Sequence, residues 1–284
     1  MKKNILSIIY LFIFCFINIA FTQDWAVETY EKEYEISDKK PLEVSIDIDA
    51  GEVNITKGNK SRIATVFMKY TKDNFRGDVH YDQENNYLRI ILDHEGLFKN
   101  AGDDQVAELE LKLPDNVEII FDSKVKAGEI VMNMGGLRLK EFLVNNWAGE
   151  IDVSFEEPNK GIMDFLGIKS RVGELTCSQI GNARFERADI NGGIGELDID
   201  FSGDLVNNCM AKVDLDIGES YIRLPKDIGV KLRIAGWSFL SEKDIDSYLY
   251  KRGNSYYSED YTDSKEKFYL RISSGLGELK IECY

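Results

Sequence analysis

Histidine is scarce in this 284-residue chain: only His80 and His94 occur, and neither has a cysteine or second histidine at metal-ligand spacing. Both read as surface residues of strands or loops. No Gly-x-Ser-x-Gly elbow, phosphate loop or dinucleotide fingerprint is present, so hydrolase, NTPase and dehydrogenase readings lack a starting motif. Positive charge is short as well, with 35 Lys and Arg against 50 Asp and Glu and a formal net charge of −15. Such a chain repels phosphate backbones and anionic lipid, which excludes a nucleic-acid partner. No long segment repeats apolar residues at i, i+3, i+4 and i+7, which removes a helical bundle. After Phe21 no apolar run is long enough to cross a bilayer.

The one long apolar run lies at the N-terminus. Lys2 and Lys3 precede Ile5–Phe21, and Ala20 and Thr22 supply small residues at −3 and −1 of a cleavage point before Gln23. Residues 1–22 therefore read as an export signal; kept uncleaved, the same run would be a membrane anchor. Cys15 follows Phe12-Ile13-Phe14, which lacks the small residues of a lipoprotein site. Loss of Lys2 and Lys3 leaves 33 basic against 50 acidic side chains, a charge of −17. Three cysteines remain: Cys177, Cys209 and Cys283. In an exported chain they allow one disulfide and one free thiol, although Cys177 stands where other copies of the repeat described next carry Ile or Val.

What the chain does have is a repeat. Seven times a glycine is followed by glutamate, at Gly51-Glu52, Gly128-Glu129, Gly149-Glu150, Gly173-Glu174, Gly195-Glu196, Gly218-Glu219 and Gly277-Glu278. Five of the seven recur every 21 to 24 residues, the mark of one supersecondary unit stacked on copies of itself. Counting each glycine as zero, positions −5, −3 and −1 read Ile46, Ile48, Ala50 in the first copy and Val213, Leu215, Ile217 in the sixth. The last gives Ile272, Ser274, Leu276. That is a strand with one buried face, the inward positions becoming +2 and +4 after the glycine. The slip in parity requires a bulge or corner, which glycine tolerates. Stacked at about 4.8 Å, such units bury a continuous apolar interior.

The expected fold is all-β: a single-stranded β-solenoid, right-handed by the general crossover rule. Its repeat coils span about 117–235, and a closing coil covers 268–284. From Arg62 to Ile91, alternation on both sides of the turn-rich Thr71–Asn86 suggests a meandering N-terminal part, and Glu95–Asp104 reads as a loop. Pro114 and Pro225 each end a strand. Residues 23–284 are taken as one domain.

The run Leu109-Glu110-Leu111-Lys112-Leu113-Pro114-Asp115-Asn116-Val117, the Gly-Glu corners and the closing Gly275-Leu276-Gly277-Glu278-Leu279-Lys280-Ile281 resemble the toastrack-type β-solenoids of bacterial envelope proteins. That group includes candidate adhesin domains and the C-terminal domain of the LiaF-like cell-wall stress proteins. The resemblance covers most of residues 40–284 and implies an extracytoplasmic, non-catalytic domain. Unlike the LiaF-like proteins, the chain has one hydrophobic segment and no multi-helix membrane part.

Two features are candidates for function. The glutamates of the seven corners form a row, whose neighbours would repel by about 0.9 kcal/mol in water at one layer spacing. It could line a groove for Ca²⁺ or a cationic polymer; the structural explanation is a corner carboxylate that accepts backbone N–H groups. The second is the Tyr-rich insertion 237–267, where the period fails and 59 residues separate Gly218 from Gly277. Trp237, Tyr248, Tyr250, Tyr256, Tyr257 and Tyr261 are candidate partner contacts there, on a loop or short helix (Lys243 to Arg252) that folds over the open end. No catalytic, cofactor or metal site is expected. The leading functional expectation is an exported, adhesin-like module that binds an envelope protein or glycan and self-associates through the solenoid ends. Its alternative is an envelope-stress regulator that holds a membrane sensor by its sheet edge. A polysaccharide lyase is the catalytic outsider, and it would want clustered Arg and Lys where the sequence scatters them.

Overall fold

The computed structural model describes residues 26–95, 105–206, 208–236 and 241–284. The export signal, Cys15, the loop over 96–104 and Trp237 lie outside the described residues. The chain opens with β1 (Val27–Glu35), β2 (Leu42–Lys57), β3 (Ile63–Thr71), β4 (Phe75–Asp82), β5 (Tyr87–His94) and β6 (Ala107–Leu113). Five long strands follow: β7 (Glu118–Asn133), β8 (Arg138–Ser154), β9 (Met163–Ser178), β10 (Phe185–Asp200) and β11 (Cys209–Leu224). Then come β12 (Gly229–Gly236), β13 (Ser241–Ile245), β14 (Leu249–Arg252), β15 (Ser255–Ser258) and the long β16 (Lys267–Cys283). All sixteen belong to one sheet. Strands β6 and β11 stop at Leu113 and Leu224, directly before Pro114 and Pro225, whose missing N–H cannot extend a ladder.

Every Gly-Glu pair sits inside a long strand and bends it into a first arm and a second arm. The seven bent strands are parallel and in register, stacked as β2-β7-β8-β9-β10-β11-β16. Gly51 lies against Gly128, Gly128 against Gly149, and so on without a break to Gly218 against Gly277. The motifs are therefore consecutive in space even where 77 or 59 residues part them in sequence. At each end a further layer is made of two strands. β5 and β6 lie along the two arms of β2, and β12 and β13 along the two arms of β16. Nine layers result. Beyond them β4 borders β5, β3 borders β6 and β1 borders β3, and the β14–β15 hairpin borders β12.

The corner shows why glycine is demanded. Six of the seven glycines have φ between +122° and +144°, and Gly51 stands at +145°. A Cβ on Gly128, Gly149, Gly173, Gly195, Gly218 or Gly277 would fall 1.8–2.0 Å from the carbonyl oxygen of the glycine one layer before it. No side chain fits either the dihedral or the space. Position +2 then turns inward, as in Ile130, Ile151, Leu175 and Leu197, all almost fully buried. Phenylalanines from both arms close the interior: Phe142 stacks on Phe121 at 5.4 Å and meets Phe155 edge-on at 6.0 Å, and Phe201 lies 5.0 Å from Phe268. Between layers the turns are stapled by buried asparagines. Asn159 Nδ2 donates to Leu139 O (2.9 Å) while its Oδ1 accepts from Leu139 N (2.8 Å).

Three expectations are corrected. Position −1 does not face the core. The ladder pairs −3 and −1 of neighbouring layers but skips −2, so the parity slips before −1. Val172, Ile194, Ile217 and Leu276 stand 45–50% exposed along the outer corner. The helix from Lys243 to Arg252 is replaced by β13, a turn and β14. Ile245, Tyr248 and Leu249 do share one side, but because two strands and an Asx turn carry them over the same end of the core. In that turn Asp246 accepts the N–H of Tyr248 (2.8 Å) and of Cys283 (3.0 Å). Pairing with the exposed edge of β16 overrides a weak helical preference. The turn-rich Thr71–Asn86 also holds a strand, β4. Cys177, Cys209 and Cys283 are free, buried thiols; burial raises the Cys177 thiol well above its usual value and pushes Cys209 up to about 12.

Gly195→Ala is expected to cost at least about 3 kcal/mol of stability in denaturant unfolding, from strain at positive φ plus a backbone clash. Gly161→Ala, whose Cβ would meet nothing nearer than 3.9 Å, should change it by less than about 0.5 kcal/mol. Equal effects would remove the corner from the account.

Candidate binding face

The corner row is longer than the sequence showed. Register places Glu108 of β6 beside Glu52, and Glu242 of β13 beside Glu278, so a glutamate stands at this position in all nine layers. The two added layers carry Ala107 and Ser241 where the others have glycine, which hid them from a Gly-Glu search. The seven motif carboxylates are exposed, and among the described residues no backbone N–H donates to them in the way a cap of the kink would require. The parallel ladder continues through the corner and takes those amides instead. Among the described residues no group of three or more His, Cys, Asp or Glu side chains is arranged to hold a metal ion. The row is a solvated acidic ridge beside the aliphatic one.

The Tyr-rich insertion divides in two. Leu232 is buried and pairs with Tyr256, so Tyr256 points toward the core, as do Leu249 and Tyr248. The Tyr248 hydroxyl lies 3.2 Å from both Lys226 O and Asp260 Oδ2, which share its one proton as acceptors; burial, then the Asp260 contact, raises its pKa. Tyr248 and Tyr256 thus close the end of the solenoid. Tyr250, Tyr257 and Tyr261 point outward, with ring centroids 6.2 Å apart for the first pair and 5.0 Å for the second.

Those three rings belong to a larger face. Across the first arms the outward row reads Met210 (β11), Tyr269 (β16), Lys231 (β12), Tyr257 (β15) and Tyr250 (β14), each in register with the next. Lys231 Nζ lies 5.8 Å from the Tyr257 ring and 6.0 Å from that of Tyr269. One row nearer the corner, Arg271 of β16 stands opposite Arg233 of β12. With Lys267 and Arg252, the outward positions of β12, β14, β15 and the first arm of β16 hold five cations, three tyrosines and no carboxylate. Lys231, Arg233, Arg252 and Arg271 make no ion pair among the described residues, in a chain of net charge −15. Sequence reasoning found the tyrosines of the insertion but missed Tyr269 and the cations. They are dispersed from 231 to 271 in the chain and meet only because β16 inserts between β11 and β12.

With the architecture described, kinship can be assigned. The family described as the N-terminal domain of toast_rack, DUF2154, matches residues 23–178, more than half of the chain. The chain belongs to the toast-rack family. Two crystal structures are similar to it at low identity. A candidate cell adhesion protein from Clostridium sporogenes is 16% identical over 91% of this chain and 100% of its own, with a TM-score of 0.47. A candidate adhesin from Bacteroides fragilis is 11% identical over 90% and 97%, with a TM-score of 0.41. Among curated proteins none matches this toast-rack chain.

Burial, followed by the hydrogen bond with Tyr269, pushes the Tyr261 hydroxyl up to about 12. A folded pKa above the unfolded value of about 10 means stability is intact below pH 10 and is lost as pH rises toward 12. Tyr261→Phe should lose less stability than the parent between pH 10 and 12, read as denaturation midpoints. An identical decline in both would place Tyr261 outside this contact.

Proposed function

We propose that this toast-rack protein is an exported, non-enzymatic scaffold that binds a component of the cell envelope, adhesin-like in the broad sense. Support for export comes from the charged, apolar and small-residue pattern of residues 1–22. The observation that carries the binding reading is the outward face of Tyr250, Tyr257, Tyr261 and Tyr269. In-register strands hold Tyr250, Tyr257 and Tyr269, and Tyr261 packs on Tyr257 from the turn after β15, which leaves the rings little conformational freedom to lose on contact and favours affinity. Tyrosine also offers contact area and a hydroxyl at low entropic cost.

The face is a better contact than the sheet edges. The outer edge of β13 carries Glu242, Lys243 and Asp244, and that of β1 carries Glu28, Glu31, Lys32, Glu33 and Glu35. Charged edge residues discourage strand addition, whether by a membrane sensor or by a second copy.

Tyr250→Ala, Tyr257→Ala and Tyr261→Ala combined should weaken binding to isolated cell envelopes at least tenfold, measured by sedimentation of the full chain. The Tyr248 and Tyr256 end-closing residues are left intact, so the fold persists. Undiminished binding would contradict the assignment of this face.

A further inference from the structure

The face that serves the proposed function also carries information about what it takes. Arg271 and Arg233 sit directly opposite one another in adjacent parallel strands, with no carboxylate between them. Like charges so placed destabilise a sheet unless an anion lies across them. Lys212, next in the same row, has its own partner in Asp214, so the adjoining layer shows how this sheet neutralises a cation when it does so internally. Arg271 and Arg233 are left uncompensated. Beside them Tyr269, Lys231, Tyr257 and Tyr250 alternate across the strands as ring, cation, ring, ring.

We infer that this face binds an anionic polysaccharide, the acidic groups held by Arg271 and Arg233 and the sugar rings resting on Tyr269, Tyr257 and Tyr250. This rests on the same face being the contact surface of the proposed function. Guanidinium groups match the two oxygens of a carboxylate, sulfate or phosphate, and tyrosine rings accept the apolar faces of sugars. The overall negative charge does not forbid it, because charges beyond about 8 Å are largely screened at physiological salt. It does disfavour nucleic acid, whose phosphates are far denser along the chain. A lipid surface is a poorer fit: membrane docking relies on apolar groups that can insert, and here the cation Lys231 stands between two of the rings while Met210 is the exposed aliphatic of the row.

The test uses the full chain against immobilised polygalacturonate and chondroitin sulfate, with dextran and phosphatidylglycerol vesicles as comparisons. The expected result is binding to the two acidic polymers, weakening as salt rises, and none to dextran. Arg233→Ser with Arg271→Ser should reduce it at least tenfold. Arg62→Ser with Arg138→Ser, an equal charge change far along the stack, should leave it unchanged. No binding to either acidic polymer, equal binding by both double variants, or binding to vesicles in place of polymers would each overturn the inference. If acidic polymers fail while the triple tyrosine variant still loses envelope binding, the ligand class is wrong and the contact face stands. If the tyrosine variant binds envelopes normally, both fall.

Discussion

At six corners of this solenoid a glycine Cα rests on the carbonyl oxygen of the glycine one layer away, where a Cβ would lie 1.8–2.0 Å from it. That contact is backbone against backbone, so no neighbouring side chain can move aside to relieve it. The φ values near +135° demand the same residue independently. Two constraints at one atom fix both where a strand bends and which layer it abuts. The register of the remaining positions follows: with the glycines aligned, +2 and +4 enter the core, and +1 and −1 form parallel ridges outside.

The column also explains how the chain can leave sequence order without losing the stack. β2 and β16 each lie between a long bent strand and a layer made of two separate strands, and each finds its place by presenting a Gly-Glu corner to the corner beside it. At the C-terminal end this rearrangement has a chemical consequence. Setting β16 between β11 and β12 brings Tyr269 and Arg271 alongside Lys231 and Arg233, and the β14–β15 hairpin extends the surface with Tyr250 and Tyr257. A cationic and aromatic face on one arm thus stands around the corner from an acidic ridge on the other.

Much of the architecture was legible because glycine-glutamate spacing reports corners directly, and alternation on either side reports strands. Less legible was the side on which position −1 emerges. Val172, Ile194, Ile217 and Leu276 have the composition of core residues, and only the skipped pairing at −2 puts them outside. The β12–β13 layer was missed since Ser241 replaces the glycine, and Ile245, Tyr248 and Leu249 imitate one face of a helix. Of the candidate site, the tyrosines drew notice through local density. Arg233 and Arg271 could not, because their adjacency depends on a strand inserted out of order.

The order of layers at that end is the most direct test of the glycine column. Paired cysteines at Glu219→Cys and Glu278→Cys would lie one layer apart at matching positions, about 5 Å between Cα atoms and within disulfide range. The account predicts that this pair cross-links readily under mild oxidation, while Glu219→Cys with Glu242→Cys, two layers apart, does not. Efficient linkage of 219 to 242 and none to 278 would mean that the layers stack in sequence order, and would contradict a continuous column of seven glycines.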